Sequence, residues 1–229
     1  GTLLKNFPNT QVLVHRRGIP HLIDPDKVLW QSSVDTLGWV AKMYEKPEPV
    51  KEECLVALND KTFEIKVNDL EFSWIETPGH ASHHFSFMLE NKKVMFCGDA
   101  VGMFIPALDI MVPTTPHPYR MESGIESINH MIERNPDKLA FAHHAIRSNA
   151  NELMHQHISQ LESWKDCVAK SLSNSIEEEE AISLEISKID KDSEKLFIQK
   201  DDFGGLRRAL VSSITGFKFI VLKDNDPKS

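Results

Sequence analysis

The sequence predicts an α/β fold. Three observations point to it: two pairs of alternating apolar segments joined by short turn signals, long stretches with apolar residues every third or fourth position, and short apolar strands interleaved with those stretches.

A short helix is expected over residues 2–6, followed by a strand in "TQVLVHR" at 10–16, where apolar and polar residues alternate. Residues 26–46 have helical spacing, with Val28, Leu29, Leu37, Val40, Ala41 and Met43 as candidate buried positions, and "KPEPV" stops the helix. "TFEIKV" and "LEFSWIETP" flank Asn-Asp as one hairpin; "HFSFMLE" and "KVMFCGDA" flank Asn-Lys as a second. "IPALDIMVPTTPHP" is read as an irregular Pro-rich loop, with His117 inside it as part of a lid. "MESGIESINHMIERNP" is helical and ends at Asn135-Pro136, and "KLAFAHHA" is a short buried strand. The clearest helix covers 149–172, where Leu153, His157, Leu161, Trp164, Val168 and Leu172 recur at helical spacing. The acidic run after it reads as a solvated helix face or linker, and "LRRALVSSITGFKFIVL" as an apolar C-terminal element that packs on the core or forms a homodimer interface.

With 229 residues and 41% hydrophobic content the chain can bury a substantial core. A net charge of -8 and a pI near 5.8, with no basic stripe, argue against a nucleic-acid partner. Cys54, Cys97 and Cys167 are too few and too irregularly spaced for a disulfide framework or a Cys-based zinc knuckle, which fits a cytoplasmic setting. No apolar run is long enough to span a bilayer.

The chemistry lies where strands end. "FSWIETPG" leads to His80, "VMFCG" to Asp99 and "LAFA" to His143 and His144, so three apolar strands each stop at a metal-binding side chain. Imidazole and carboxylate suit zinc, with iron or manganese as alternatives, and a carboxylate has two oxygens with which to bridge two cations. Asp99 is the natural bridge. Such a pair acidifies a shared water and holds a developing oxyanion, the requirement of hydrolysis at neutral pH. Of the neighbouring histidines, His84 is expected either to support the metal ligands from behind or to contact substrate or a metal-bound water, whereas His83 is structural or exposed. His130 is expected on an exposed helix face, and His155 and His157 diverge on theirs. Cys97 is expected to be an inert core thiol.

"TPGHASHHFSF", "VMFCGDAVG" and "LAFAHHA" together resemble the metallo-β-lactamase superfamily, over roughly residues 1–165. The resemblance implies that His80 binds the first metal, Asp99 bridges, and His143, preferred over its neighbour His144, binds the second. It implies a four-layer αββα sandwich, N-terminally incomplete, with extra C-terminal helices. Residues 1–172 would be the superfamily domain without its first strands and metal loop, and 173–229 a helical extension packed on it. The family's His-x-His-x-Asp-His motif is absent here, and the chain starts like the segment that follows that motif, so an upstream segment carrying further ligands is expected. The implied activity, in the intact protein, is a zinc-dependent hydrolase that uses a metal-bound hydroxide on a small ester, thioester or lactone, with two ions there and with Asp99 and His84 in catalytic roles. The alternatives are an iron-dependent redox enzyme resembling a persulfide dioxygenase, and a non-catalytic module with a degenerate site.

Overall fold

The computed structural model describes residues 1–37, 41–42, 46–58, 64–143, 145–199 and 206–224, which group into two compact units, Gly1–Phe63 and Glu64–Ser229. In the first unit, α1 (Thr2–Asn6) and β1 (Val12–His15) lie where the sequence puts them. They are followed by α2 (Ile19–Ile23), with Pro20 in its first turn, and by a wide helical turn at Asp26–Trp30 that continues into α3 (Gln31–Leu37). Val40 and Met43, expected to be buried, lie outside the described residues. β2 (Leu55–Leu58) pairs in parallel with β1, Val12 opposite Leu55.

The second unit carries the chemistry. Its six strands are β3 (Glu64–Val67), β4 (Leu70–Glu76), β5 (Phe85–Leu89), β6 (Val94–Gly98), β9 (Lys138–Phe141) and β10 (Ala145–Arg147), in the spatial order β10-β9-β6-β5-β4-β3. Both expected hairpins form: Asn68 turns β3 into β4 with a positive φ of 54°, and Glu90–Lys93 turns β5 into β6. β4 and β6 are each antiparallel to β5, hence parallel to each other, and β6 is parallel to β9. The C-terminal ends of β4, β6 and β9 therefore lie along one edge of the sheet. All three stretches singled out for metal-binding side chains start there.

The Pro-rich stretch departs from expectation. β7 (Met103–Ile105) and β8 (Ile110–Val112) form a small hairpin whose six residues are all buried. The prolines lie outside both strands, at 106 and from 113 onwards, so the ladder keeps its N–H groups. The composition of the whole stretch hid two short, fully apolar strands.

Helices α4 (Met121–Glu133), α5 (Ala150–Ser173), α6 (Glu179–Ile189), α7 (Lys191–Ile198) and α8 (Leu206–Asp224) complete the unit. One sheet face, with Met88, Met95, Cys97, Leu139 and Phe141, shares a continuous core with Ile128 and Met131 of α4, Leu161 and Trp164 of α5, Ile186 of α6, Leu196 of α7 and Ile214 and Phe217 of α8. The principal neighbours of helix α5 are α4, α6 and α8. A polar knot ties these elements together. Asp190, between α6 and α7, accepts hydrogen bonds from Trp164 Nε1 at 2.8 Å, Gln160 Nε2 at 2.9 Å and Ser193 Oγ at 2.8 Å. Asp192 in turn accepts Met111 N–H of β8 at 2.9 Å. Among the described residues, no helix is long and apolar enough to cross a membrane.

Candidate metal centre

The loop after β4 is braced on α4 before it reaches His80. Gly79 has φ +149°, and a Cβ there would lie 2.6 Å from Gly124 Cα, so loop and helix approach backbone to backbone. Ser127 Oγ donates to Pro78 O at 2.7 Å, and Arg120 N donates to Gly79 O at 3.2 Å. His80 Nδ1 lies 2.8 Å from Thr114 O. A carbonyl only accepts, so Nδ1 carries the proton and Nε2 presents its lone pair, the tautomer a metal ligand needs.

Asp99 follows β6, where a bulge at Phe96–Gly98 and the left-handed φ of Gly98 (+54°) turn the chain out of the sheet. His80 Nε2 approaches Asp99 Oδ2 at 3.8 Å, and His143 Nε2 approaches Oδ1 at 3.4 Å. Each carboxylate oxygen thus faces a different imidazole, and the three side chains do not close on a single point. Oδ1 is shielded from solvent, yet no hydrogen-bond donor satisfies it; the 3.4 Å contact is an ion-pair distance rather than a well-formed hydrogen bond. Burial raises the Asp99 pKa, but the contact with His143 and the charges of His80, His143 and His84 outweigh it and hold the carboxyl below its usual range. The contact with Asp99 raises His143 in turn, against a smaller effect of burial. His143 is the most open of the three, with 52% of its side chain exposed. His144 lies outside the described residues.

His84 is bonded by the chain on both sides of its ring. Its Nε2 accepts the Asp99 backbone N–H at 3.3 Å, and its Nδ1 lies 2.7 Å from Thr77 Oγ1, which lies 3.0 Å from Ser86 Oγ. Both ring nitrogens are engaged by the chain itself. The fit is tight: a Cβ on Gly98 would sit 2.3 Å from His84 Nε2. Burial, reinforced by His80, pushes its pKa down to about 4, so the ring is neutral near pH 7 and can accept that N–H.

Sequence reasoning missed Thr114, which lies in the stretch read as irregular. Besides holding His80, its hydroxyl donates to Asp99 O at 3.1 Å. Thr77 was visible within "TPGH", but nothing in the sequence revealed its bond to a histidine seven positions on. His130 is exposed, as expected, and Cys97 is fully buried, its thiol pushed up to about 12 by burial. His157 is also buried, and it points at Gln160, not at this centre.

The family model of the metallo-beta-lactamase superfamily matches residues 2–143, well over half of the chain and all three of these side chains. The chain belongs to the metallo-beta-lactamase superfamily. It is 32% identical over 135 residues to the metallo-beta-lactamase fold-containing protein ST1585 of Sulfurisphaera tokodaii, a match covering 59% of this chain and 49% of that protein. The chain thus spans about half the length of the curated relative it matches. The crystal structure of the archaeal superfamily protein ST1585 from Sulfolobus tokodaii superposes with a TM-score of 0.69 at 23% identity, covering 95% of this chain and 74% of that one. The metallo-beta-lactamase family protein TTHA1429 from Thermus thermophilus superposes with a TM-score of 0.57 at 13% identity, covering 93% of this chain and 67% of that one. These likenesses establish the α/β metallo-beta-lactamase fold, here with additional C-terminal helices.

Proposed function

We propose that the protein is a metal-dependent hydrolase acting on a small ester, thioester or lactone, with His80, Asp99 and His143 as metal ligands. The observation that carries this reading is the Asp99 carboxylate, which has a shielded oxygen without a donor and an imidazole nitrogen facing each oxygen. A buried, unsatisfied acceptor costs about 1–3 kcal/mol, more when charged, and a divalent cation offsets that cost. Two imidazoles and a carboxylate fit zinc best, with iron and manganese compatible.

Bound there, divalent cations supply a water of lowered pKa and a Lewis acid for the substrate's developing oxyanion. The chain's own residues prepare that chemistry. Thr114 O fixes the ring of His80 so that Nε2 faces Asp99. His84 Nε2 accepts the Asp99 backbone N–H, and the Thr114 hydroxyl donates to the Asp99 carbonyl. The exposed His143 marks the side from which a substrate arrives. The acidic chain disfavours phosphate polymers, which leaves small acyl compounds in front. His80 with Asp99, and His143 with Asp99, give each cation two donors, one short of the three usual in catalytic zinc sites. A metal titration therefore counts what this chain holds by itself.

The test is elemental analysis after anaerobic purification, beside hydrolysis of a panel of activated esters, thioesters and lactones. Zinc that co-purifies with the chain is expected, with Asp99→Asn losing both metal and turnover. A metal-free wild-type protein, with Asp99→Asn indistinguishable from it, rejects the reading. Stoichiometric iron moves it to oxidation chemistry on the same ligands.

A further inference from the structure

The segment Pro113–Thr115 is gripped from two sides. Towards the centre, Thr114 O accepts from His80 Nδ1 at 2.8 Å and Thr114 Oγ1 donates to Asp99 O at 3.1 Å. On its other side stands α8. Ser213 Oγ donates to Pro113 O at 2.8 Å and accepts Thr115 N–H at 3.3 Å, while Thr115 Oγ1 donates to Ser213 O at 2.8 Å. Ser213 and Thr115 are only 3% and 1% exposed, so these bonds form out of contact with competing water. Gly216, one turn on, completes the seat: a Cβ there would lie 2.1 Å from Thr115 O and 3.1 Å from Tyr119 Cβ. Helix backbone and loop backbone meet at a distance that excludes any side chain.

Thr114 thus has its own groups committed to the centre, while the residues before and after it are fixed by one helix. Apolar contacts through Leu210, Ile214, Phe217, Ile220 and Val221 pack α8 on the core, and Lys218 and Asp224 pair with Glu179 and Lys165. The polar bonds of Ser213 add direction, because they set where Thr114 O points. We propose that α8 is a positioning element of the metal centre, acting through Ser213 and Gly216 on Pro113–Thr115 to fix the His80 ring and the Asp99 backbone. The inference deepens the metal-centre reading and rests on it for one of its two readouts.

The experiment uses the full chain with Gly216→Ala, Ser213→Ala and, as a control that loosens α8 away from the loop, Val221→Ala. Zinc affinity is measured by chelator competition, and the His80 tautomer by long-range proton–nitrogen correlations on zinc-free protein. The wild type is expected to show the Nδ1–H tautomer. In Gly216→Ala and Ser213→Ala, a tautomer mixture and a loss of zinc affinity on the order of 10-fold are expected, the usual size for loss of a group that orients a ligand. Val221→Ala is expected to lower the unfolding midpoint and leave tautomer and affinity unchanged. If Gly216→Ala does not fold, Ser213→Ala carries the test. Wild-type tautomer and affinity in the two loop variants overturn the proposal, as does an equal loss in Val221→Ala. If the wild type binds no zinc, the metal-centre reading fails, and the His80 tautomer alone decides whether α8 positions the ring.

Discussion

His157 is fully buried on α5, where burial pushes its pKa down to about 4 and its bond to Gln160 offsets only part of that. The unfolded chain, with an ordinary pKa near 6.5, binds the proton that the folded chain refuses. Stability is therefore highest above about pH 6.5 and falls as the pH drops towards 4, by up to about 3 kcal/mol from this one side chain. Urea unfolding of His157→Gln across that window is expected to show a shallower acid loss than the wild type, by about that amount. His84 titrates in the same direction and remains in both proteins, so it cancels from the comparison. None of this was written in the residue's neighbourhood: helical periodicity marked position 157 as inward-facing, but not what it would meet there. The same limit applied to His84. Its position after "TPGH" made it a candidate for the reaction, and only the fold could show Asp99 N–H and Thr77 Oγ1 occupying its two nitrogens.

Helices and strands with strong periodicity were legible throughout. α1, α4 and α5 and both sheet hairpins lie where alternation and spacing place them, because their patterns run over enough residues to outweigh local composition. β7 and β8 are three residues each, too short to show a period beside so many prolines. The knot around Asp190 was equally invisible, being made by residues from α5, the α6–α7 junction and β8. It should matter for stability. Asp190→Ala leaves the fully buried Trp164 indole N–H without its acceptor and removes three further bonds, from Gln160, Ser193 and the Asp192 N–H, so a loss of about 3 kcal/mol in unfolding free energy is expected. Urea denaturation followed by tryptophan fluorescence measures it. A change below about 0.5 kcal/mol, ordinary for a surface site, shows that the knot contributes nothing.

Ligand binding to the folded state alone raises the apparent stability of the whole chain. With free zinc at about 100 times its dissociation constant the gain is about 2.7 kcal/mol, which calorimetry reads as a higher melting temperature reversed by chelator. Asp99→Asn is expected to abolish the zinc-dependent part and leave the rest of the transition in place. The family was readable in the sequence, and so was the approach of His80, Asp99 and His143, since strand, turn and a histidine or aspartate recur in one order. Their convergence is explained by direction: β4, β6 and β9 all run the same way. That polarity also gives the sheet a spare end. The turn at Asn68–Asp69, the β5–β6 connection and the approach to β9, where Asp137 N donates to Lys93 O, all sit on the margin opposite His80, Asp99 and His143. Fluorophores, affinity handles or spliced peptides belong there, since cargo grafted onto that margin is separated from those three side chains by the full length of the strands.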